Sequence, residues 1–309
     1  MAGNSLRGAL LAGTGTVLAG TSFAATSLLT NYPFLSGQAL RFAVGALALV
    51  VILLWTRARW PRPTARELGL LALLAATGLV GFNLASLAAL RSSEPAALGV
   101  VVGCTPLVVA LAGPLMARRR LSAPMLGAAL LVVMGAAMVI GLGSTTPAGF
   151  GFALLAMLGE TAFTVLAVPV LPRLGPIVVS AYVCVLAAVE MAVLALVMEF
   201  PRSLQLPTPS EALALGYLAI AITAVAFICY YAGIQRLGAE RTSLFAGLIP
   251  VASAFAAPVV GTGALGLAQV LGSLLVGIGI TVGMAAVPST SGPPQRAVEM
   301  MRAISSYRR

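Results

Sequence analysis

The sequence contains no histidine, no aspartate and no lysine, and its acidic residues are eight glutamates. Without histidine the chain cannot form a histidine-based catalytic triad, an imidazole proton relay or a histidine metal site. Without lysine it cannot carry the phosphate-binding motif Gly-x-x-x-x-Gly-Lys, which excludes ATP hydrolysis at a site of that type. The residues for a general acid–base site are missing as well, because no two acidic residues lie close together in the sequence. We expect no catalytic residue, no metal and no cofactor.

Charge is scarce throughout, since 8% of the residues are charged and 60% are hydrophobic. No compact soluble domain can bury that much apolar surface, so the composition indicates a membrane protein. The three cysteines, Cys104, Cys184 and Cys229, lie in apolar segments without paired spacing, which predicts neither disulfides nor a metal site. The net charge of +10 comes from arginines in the short connections, a pattern of membrane topology and not of nucleic-acid binding.

Ten apolar segments are long enough, at roughly 18–25 residues, to cross a hydrocarbon core of about 30 Å. We place them at 8–30, 34–55, 67–90, 94–117, 123–142, 149–171, 176–199, 210–235, 241–260 and 264–287. The connections between them are short, and several are built around proline or glycine. The chain is therefore predicted to be an all-α membrane protein with ten transmembrane helices.

The arginines predict the orientation of these segments. With the N-terminus in the cytoplasm, fifteen of the eighteen arginines fall on the cytoplasmic side, as membrane proteins prefer. These are Arg7, Arg57, Arg59, Arg62, Arg66, Arg118, Arg119, Arg120, Arg173, Arg236, Arg241, Arg296, Arg302, Arg308 and Arg309. Only Arg91 and Arg202 fall outside, and Arg41 lies within a segment. We expect a multi-pass protein of the cytoplasmic membrane with both termini in the cytoplasm.

A pattern of prolines and alanines occurs twice in the chain, 144 residues apart. One copy begins at Pro106 and the other at Pro250, and each ends with a second proline after the same interval. Ten segments in two copies give five per repeat, and an odd number places the second repeat upside down in the bilayer. We predict inverted repeats at 1–142 and 143–287, followed by a disordered, basic, cytoplasmic tail at 288–309.

Three motifs connect the chain with a known family. They are the two proline copies, Pro33 followed by Arg41 at the start of the second segment, and Gly20 followed by Phe23 in the first. On these motifs the chain resembles the ten-helix EamA-type exporters of the drug/metabolite transporter superfamily, over residues ~8–287. The resemblance implies a central cavity between the repeats, lined mainly by helices one to four and six to nine, with helices five and ten peripheral.

Three charged residues fall inside predicted helices, where each costs about 2.5–3.5 kcal/mol to insert. Glu160 lies almost at the centre of the sixth segment, Glu190 near the middle of the seventh, and Arg41 a third of the way along the second. They are predicted to form a cluster that binds a substrate or a proton in the cavity. The structural alternative is that Arg41 pairs permanently with one glutamate and holds two helices together.

Uncharged polar residues supply further candidates for substrate binding or coupling. They are Asn83, Thr161, Thr164, Tyr182 and Tyr230. Asn83 is the strongest of these, because an amide in a bilayer needs hydrogen-bonding partners. The structural alternative, which carries more weight for each threonine alone, is helix packing.

Pro106 and Pro250 are predicted to be hinges, since proline interrupts the hydrogen bonding of a helix. Each frees a carbonyl one turn upstream, near Val102 and Ala246, and such a carbonyl offers an alternative site for a substrate amine. A tolerated kink is the structural alternative. Gly279 and Gly283 are expected to lie on a close-packing helix face.

The function predicted from these observations is secondary transport. The chain is expected to export a small organic metabolite, such as an amino acid, an amine or an amphipathic compound, with coupling to protons through Glu160. Two alternatives stay open: an uncoupled facilitator or an importer, and a membrane scaffold or sensor that transports nothing. The expected partners are a small molecule, the lipid bilayer and a coupling ion such as the proton, and the chain is either a monomer or a homodimer.

Overall fold

The structure, a computed structural model, describes residues 2–57, 59–116, 120–260 and 265–286. Within these ranges it is helical, and the only β-type pairing recorded is an isolated bridge between Ser93 and Thr145. Nine helices in these ranges are long and apolar enough to cross a membrane. They are α1 (Gly3–Leu29), α2 (Phe34–Trp55), α3 (Ala65–Leu90), α4 (Pro95–Leu115), α5 (Ala123–Ile140), α6 (Pro147–Val165), α7 (Pro176–Met198), α8 (Pro209–Leu237) and α10 (Leu267–Ala286). The predicted tail at 288–309 lies outside the described residues.

The remaining segment, α9, consists of helices Ala239–Leu244 and Leu248–Val260 joined by the 3₁₀ turn Phe245–Gly247. It begins at the membrane face where α10 ends, because Gly283 near the end of α10 lies against Leu244. Since α10 spans the bilayer, α10 begins at the other membrane face. The preceding segment, α9, must therefore cross the bilayer to reach the start of α10. The prediction of ten transmembrane helices is therefore confirmed.

The helices of the two halves are interleaved. Helix α1 packs mainly against α8 and α9, and its counterpart α6 packs against α3 and α4. Helices α2 and α7 form one long pair, and α5 and α10 form the other. Each contact in one half thus has its equivalent in the other, with the direction through the membrane reversed. The fold consists of two inverted five-helix repeats, as predicted.

The largest buried core lies where α2, α3, α7 and α8 meet. Its fully buried side chains include Phe42, Leu49, Leu71, Met191 and Tyr231. Many large apolar side chains on the outer faces of the helices are exposed, as helices that contact lipid require. The core therefore joins the two repeats and does not belong to either one.

One predicted helix boundary is wrong by several residues. Helix α6 ends at Val165, not near residue 171, and turns and a single helical turn at Leu171–Leu174 follow it. Pro169 explains the early end, because proline cannot donate a helical hydrogen bond and its ring collides with the preceding turn.

Glycines allow α5 and α10 to approach backbone to backbone. A Cβ atom at Gly272 would stand 2.6 Å from the carbonyl oxygen of Gly135, and one at Gly279 would stand 2.9 Å from that of Ala128. At Gly283 it would collide with the side chain of Leu244. The predicted close-packing face of α10 is therefore present, and this contact ties the last helix of one repeat to the last helix of the other.

The glycine contact can be tested by substitution. Gly272→Ala is expected to destabilise the protein by about 1–3 kcal/mol, because the added methyl group would overlap a backbone carbonyl that cannot move freely. Gly277→Ala is the matched control, since nothing lies within 4 Å of its added Cβ on the same helix. Thermal unfolding in detergent would measure both. Equal stability of the two variants would contradict the packing described for α5 and α10.

Candidate functional site

Glu160 lies in the last third of α6 but near the mid-depth of the bilayer. Its neighbour Gly159 lies against Thr77 and Phe82, on either side of the middle of α3. The Glu160 side chain is deep in the bundle yet keeps part of its surface accessible. The central cavity between the repeats that the family resemblance implies stays a prediction.

No described residue donates a hydrogen bond to the Glu160 carboxylate. Among the recorded hydrogen bonds, the residue takes part in one side-chain contact through its backbone carbonyl, which accepts the Thr164 hydroxyl at 3.3 Å. The carboxylate lies within electrostatic range of the hydroxyl groups of Tyr230 and Tyr231 on α8. A deep carboxyl group without a fixed partner is free to bind a proton or a cationic ligand.

A pair of hydroxyl groups joins α6 to α8 beside Glu160. Thr164 is fully buried, and its Oγ1 lies 2.9 Å from the Tyr230 hydroxyl. The Tyr230 ring stacks with Phe163 at a centroid distance of 5.9 Å, and Tyr231 stacks with the same ring at 4.9 Å. This packing fixes the position of the Tyr230 hydroxyl and brings three of the predicted residues, Glu160, Thr164 and Tyr230, into one neighbourhood.

The other polar candidates make simpler contacts. Thr161 donates to the carbonyl of Met157 in its own helix, at 2.9 Å. The Asn83 amide donates to the carbonyl of Leu79, one turn upstream, at 2.8 Å. Tyr182 is half-buried and packs against the main core. These contacts are of the kind that helix packing requires, and a ligand role for the three residues stays a prediction.

Arg41 is deep in the bundle and only partly accessible, but it has no carboxylate partner among the described residues. Its Nε donates to Oγ1 of Thr223 on α8 at 2.8 Å, and a second guanidinium nitrogen lies 3.4 Å from Oε1 of Gln38. The guanidinium carbon also stands 5.4 Å from the centre of the Phe42 ring. The alternative of a permanent Arg41–glutamate pair is therefore not the arrangement found.

Glu190 forms no hydrogen bond or ion pair with Arg41 or Glu160 in the described part of the chain. One of its carboxylate oxygens is buried without a hydrogen-bonding partner in the described structure. No direct contact joins Glu160, Glu190 and Arg41 among the described residues, and the cluster of the three stays a prediction.

Both predicted hinges lie beside a break in their helix. Helix α4 consists of Pro95–Gly103 and Thr105–Met116, with a turn at Cys104 two residues before Pro106. Helix α9 has its 3₁₀ turn just before Pro250. The carbonyl upstream of Pro106 is occupied, however, because Val102 accepts the Thr105 hydroxyl at 2.7 Å. The Val102 carbonyl is therefore not free, although a carbonyl can accept a second hydrogen bond, and both the hinge role and the ligand role stay predictions.

Two irregular segments were not anticipated from the sequence. Helix α3 contains a π-helical stretch at Ala75–Gly81, and α8 contains one at Leu218–Val225, near the same point of each repeat. Thr223, which binds Arg41, also donates to the carbonyl of Leu218 at 3.0 Å. Short π segments are frequent at functional sites, and the π segment of α3 packs against α6, the helix that carries Glu160.

The described residues contain no group of three histidine, cysteine, aspartate or glutamate side chains that could hold a metal ion. The chemistry available at the site is therefore that of one unpaired carboxylate, one arginine and several hydroxyl groups. Such a set can bind a small polar or charged molecule and can exchange protons.

The chain was compared with known proteins. Its sequence matches the EamA-like transporter family over residues 6–141 and again over 147–284. It is 22% identical over 240 residues to the uncharacterized transporter YetK of Bacillus subtilis (strain 168), which covers 75% of this chain and 73% of that protein. It is 24% identical over 272 residues to the uncharacterized transporter YyaM of the same organism, which covers 85% of this chain and 89% of that protein.

A solved structure is also similar in fold. A crystal structure aligns with a TM-score of 0.77 at 24% sequence identity, and the alignment covers 90% of this chain and 98% of that chain. The family match occurs twice in succession, once in each of the two repeats that the helices form. Because the two matches together span most of the residues, the chain belongs to the EamA-like transporter family.

Proposed function

We propose that this protein is a secondary transporter that exports a small organic metabolite, with Glu160 as the group that carries the coupling proton. The observation that carries the proposal is the Glu160 carboxylate, which is deep in the bundle, partly accessible and without a hydrogen-bonding partner among the described residues. A carboxyl group in that position can take up a proton on one side and release it on the other as access alternates.

The substrate class follows from the groups that face the internal space. Glu160 offers a negative charge to an amine, and Arg41 offers guanidinium hydrogens to a carboxylate. The surrounding surface is apolar and aromatic, with Phe163 and Tyr230 beside Glu160. An amino acid, an amine or an amphipathic compound suits this combination. A phosphorylated substrate suits it less, because Arg41 is the one arginine among the described residues that lies well inside a membrane-spanning segment.

The orientation belongs to the proposal as well. The loop arginines, among them Arg62 and Arg173, concentrate at the membrane face where α3 and α7 begin. We name this the arginine-rich face and assign it to the cytoplasm of the cell membrane, which also places the N-terminus there. Export then means movement from the arginine-rich face to the opposite face.

Two other functions are distinguishable from this one. An uncoupled facilitator or an importer would use the same cavity but would not need Glu160 to change its protonation. A membrane scaffold or sensor would transport nothing and would have no use for a polar group at mid-depth. The presence of Glu160 without a structural partner favours coupled transport over both.

Replacing Glu160 tests the coupling directly. In proteoliposomes with an imposed pH gradient, a panel of small amines and amino acids should be moved by the wild type, and Glu160→Gln should reduce gradient-driven transport to the protein-free background. The amide has nearly the same shape but cannot exchange a proton. Glu94→Gln, the same chemical change in the connection before α4, should transport normally. Full gradient-driven transport by Glu160→Gln would reject the role of this residue.

The hinge role of the prolines gives a second test. Pro106→Ala is expected to lower the transport rate severalfold, since alanine restores the helical hydrogen bond beside the break at Cys104 and stiffens α4. Pro114→Ala, within the same helix but away from the break, serves as the control. Substrate flux and thermal unfolding should be measured together. If the two variants transport equally well, Pro106 is a tolerated kink and not a hinge.

A further inference from the structure

Helices α3 and α8 begin in the same way on opposite faces of the membrane. A capping box formed by Thr64 and Glu67 starts α3, and one formed by Thr208 and Glu211 starts α8, 144 positions later. In both boxes the threonine hydroxyl and the glutamate carboxylate satisfy the first backbone N–H groups of the helix. At each face, a connection from the other repeat reaches this helix start and forms a junction between the repeats.

The junction at the arginine-rich face is ionic. Arg173, in the connection between α6 and α7, donates from Nε to Oε1 of Glu67 at 2.6 Å and from a second nitrogen to Oε2. The same nitrogen also donates to the carbonyl of Arg62 at 3.0 Å. The hydrogen bond to Glu67 raises the pKa of Arg173. A two-pronged pair of this kind is the strong form of an ion pair between side chains.

The junction at the opposite face is neutral. Tyr32, in the connection between α1 and α2, donates its hydroxyl to the carbonyl of Gln205 at 3.0 Å. Burial, followed by the charges of Glu211 and Glu199, raises the pKa of Tyr32, so the phenol stays protonated and uncharged at neutral pH. The Glu211 carboxylate bonds only within its own capping box in the described structure. No described arginine bonds to Glu211 in the way that Arg173 bonds to Glu67.

A separate clasp holds α2 to α7 at the opposite face. The two carboxylate oxygens of Glu199 accept the backbone N–H groups of Leu35 and Ser36 at 2.8 and 3.0 Å. Helices α2 and α7 also pack along their length, so the clasp and this packing together hold the two helices to each other. The Arg173–Glu67 pair makes a different connection, because it joins the segment before α7 to the start of α3 at the arginine-rich face.

We propose that the Arg173–Glu67 pair is the latch of the gate at the arginine-rich face, and that the Tyr32–Gln205 contact is the weaker latch of its counterpart at the opposite face. This inference rests on the proposed alternating access. A charged, two-pronged contact is stronger than a single neutral hydrogen bond, so the Arg173–Glu67 pair holds its gate more firmly than the Tyr32–Gln205 contact holds its counterpart. Removing one latch shifts the population toward opening at that face and closure at the other.

Hydrogen exchange of the full chain in lipid nanodiscs, without any substrate, tests the latch. Arg173→Gln should speed amide exchange about threefold to fivefold at 64–70 and 166–175, as expected for the loss of a partly exposed ion pair. It should also slow exchange at 30–33 and 199–211. Tyr32→Phe should produce the reverse pattern. Arg66→Gln is the matched control, because Arg66 is exposed in the first turn of α3 and adjoins Glu67 in sequence.

The result depends on whether amide exchange at the opposite face becomes slower when the Arg173–Glu67 pair is removed. Faster exchange beside Arg173 with no slowing at the opposite face would show a local structural contact and overturn the inference. The same conclusion holds if Arg66→Gln reproduces the full pattern. Tyr32→Phe tests the inference from the other side should Arg173→Gln fail to fold. Because no substrate is present, reciprocal exchange combined with absent proton-driven transport would support the latch and reject the coupling role of Glu160.

Discussion

A bilayer offers no water to backbone N–H and C=O groups, so each must find its partner within the protein. This constraint explains where the present fold is regular and where it is not. The mid-helix irregularities of the described chain lie in α3, α4, α8 and α9, the helices that pack against α1 and α6. Side-chain hydroxyl groups donate hydrogen bonds to backbone carbonyls there: Thr105 donates to Val102, and Thr223 donates to Leu218. The irregular backbone therefore surrounds the interface between the repeats and not the lipid.

Against this background the absence of a partner at Glu160 is informative. The bundle supplies side-chain partners for carbonyls at its helix breaks, yet no described residue supplies one for a carboxylate at mid-depth. Insertion of such a group costs about 2.5–3.5 kcal/mol, and no packing contact recovers it. Arg41 differs, because Thr223 and Gln38 bind its guanidinium and give it a structural role beside any functional one. We therefore propose the coupling role for Glu160, and a role in both packing and binding for Arg41.

The ten helices, the inverted repeats and the family could be predicted from the sequence, because apolar length and repeated prolines are visible in it. The early end of α6 was also readable, since Pro169 marks it, but the apolar run concealed it. The two π segments had no such mark, because they arise from packing and not from a residue type. The directions in which the side chains of Arg41, Glu160 and Glu190 point depend on helix rotation, which hydropathy does not report. The equivalent capping boxes of α3 and α8 were a signal that sequence reasoning missed.

The proposed coupling role requires that Glu160 face a space that opens to each side of the membrane in turn. Labelling of Glu160→Cys, in a chain whose three native cysteines are replaced, tests this most directly. A membrane-impermeant thiol reagent would be applied to one face at a time in oriented vesicles, with Leu158→Cys as the exposed, lipid-facing control. The account predicts that position 160 is labelled from both faces and position 158 from neither. Labelling of position 160 from only one face, or from none, would contradict it.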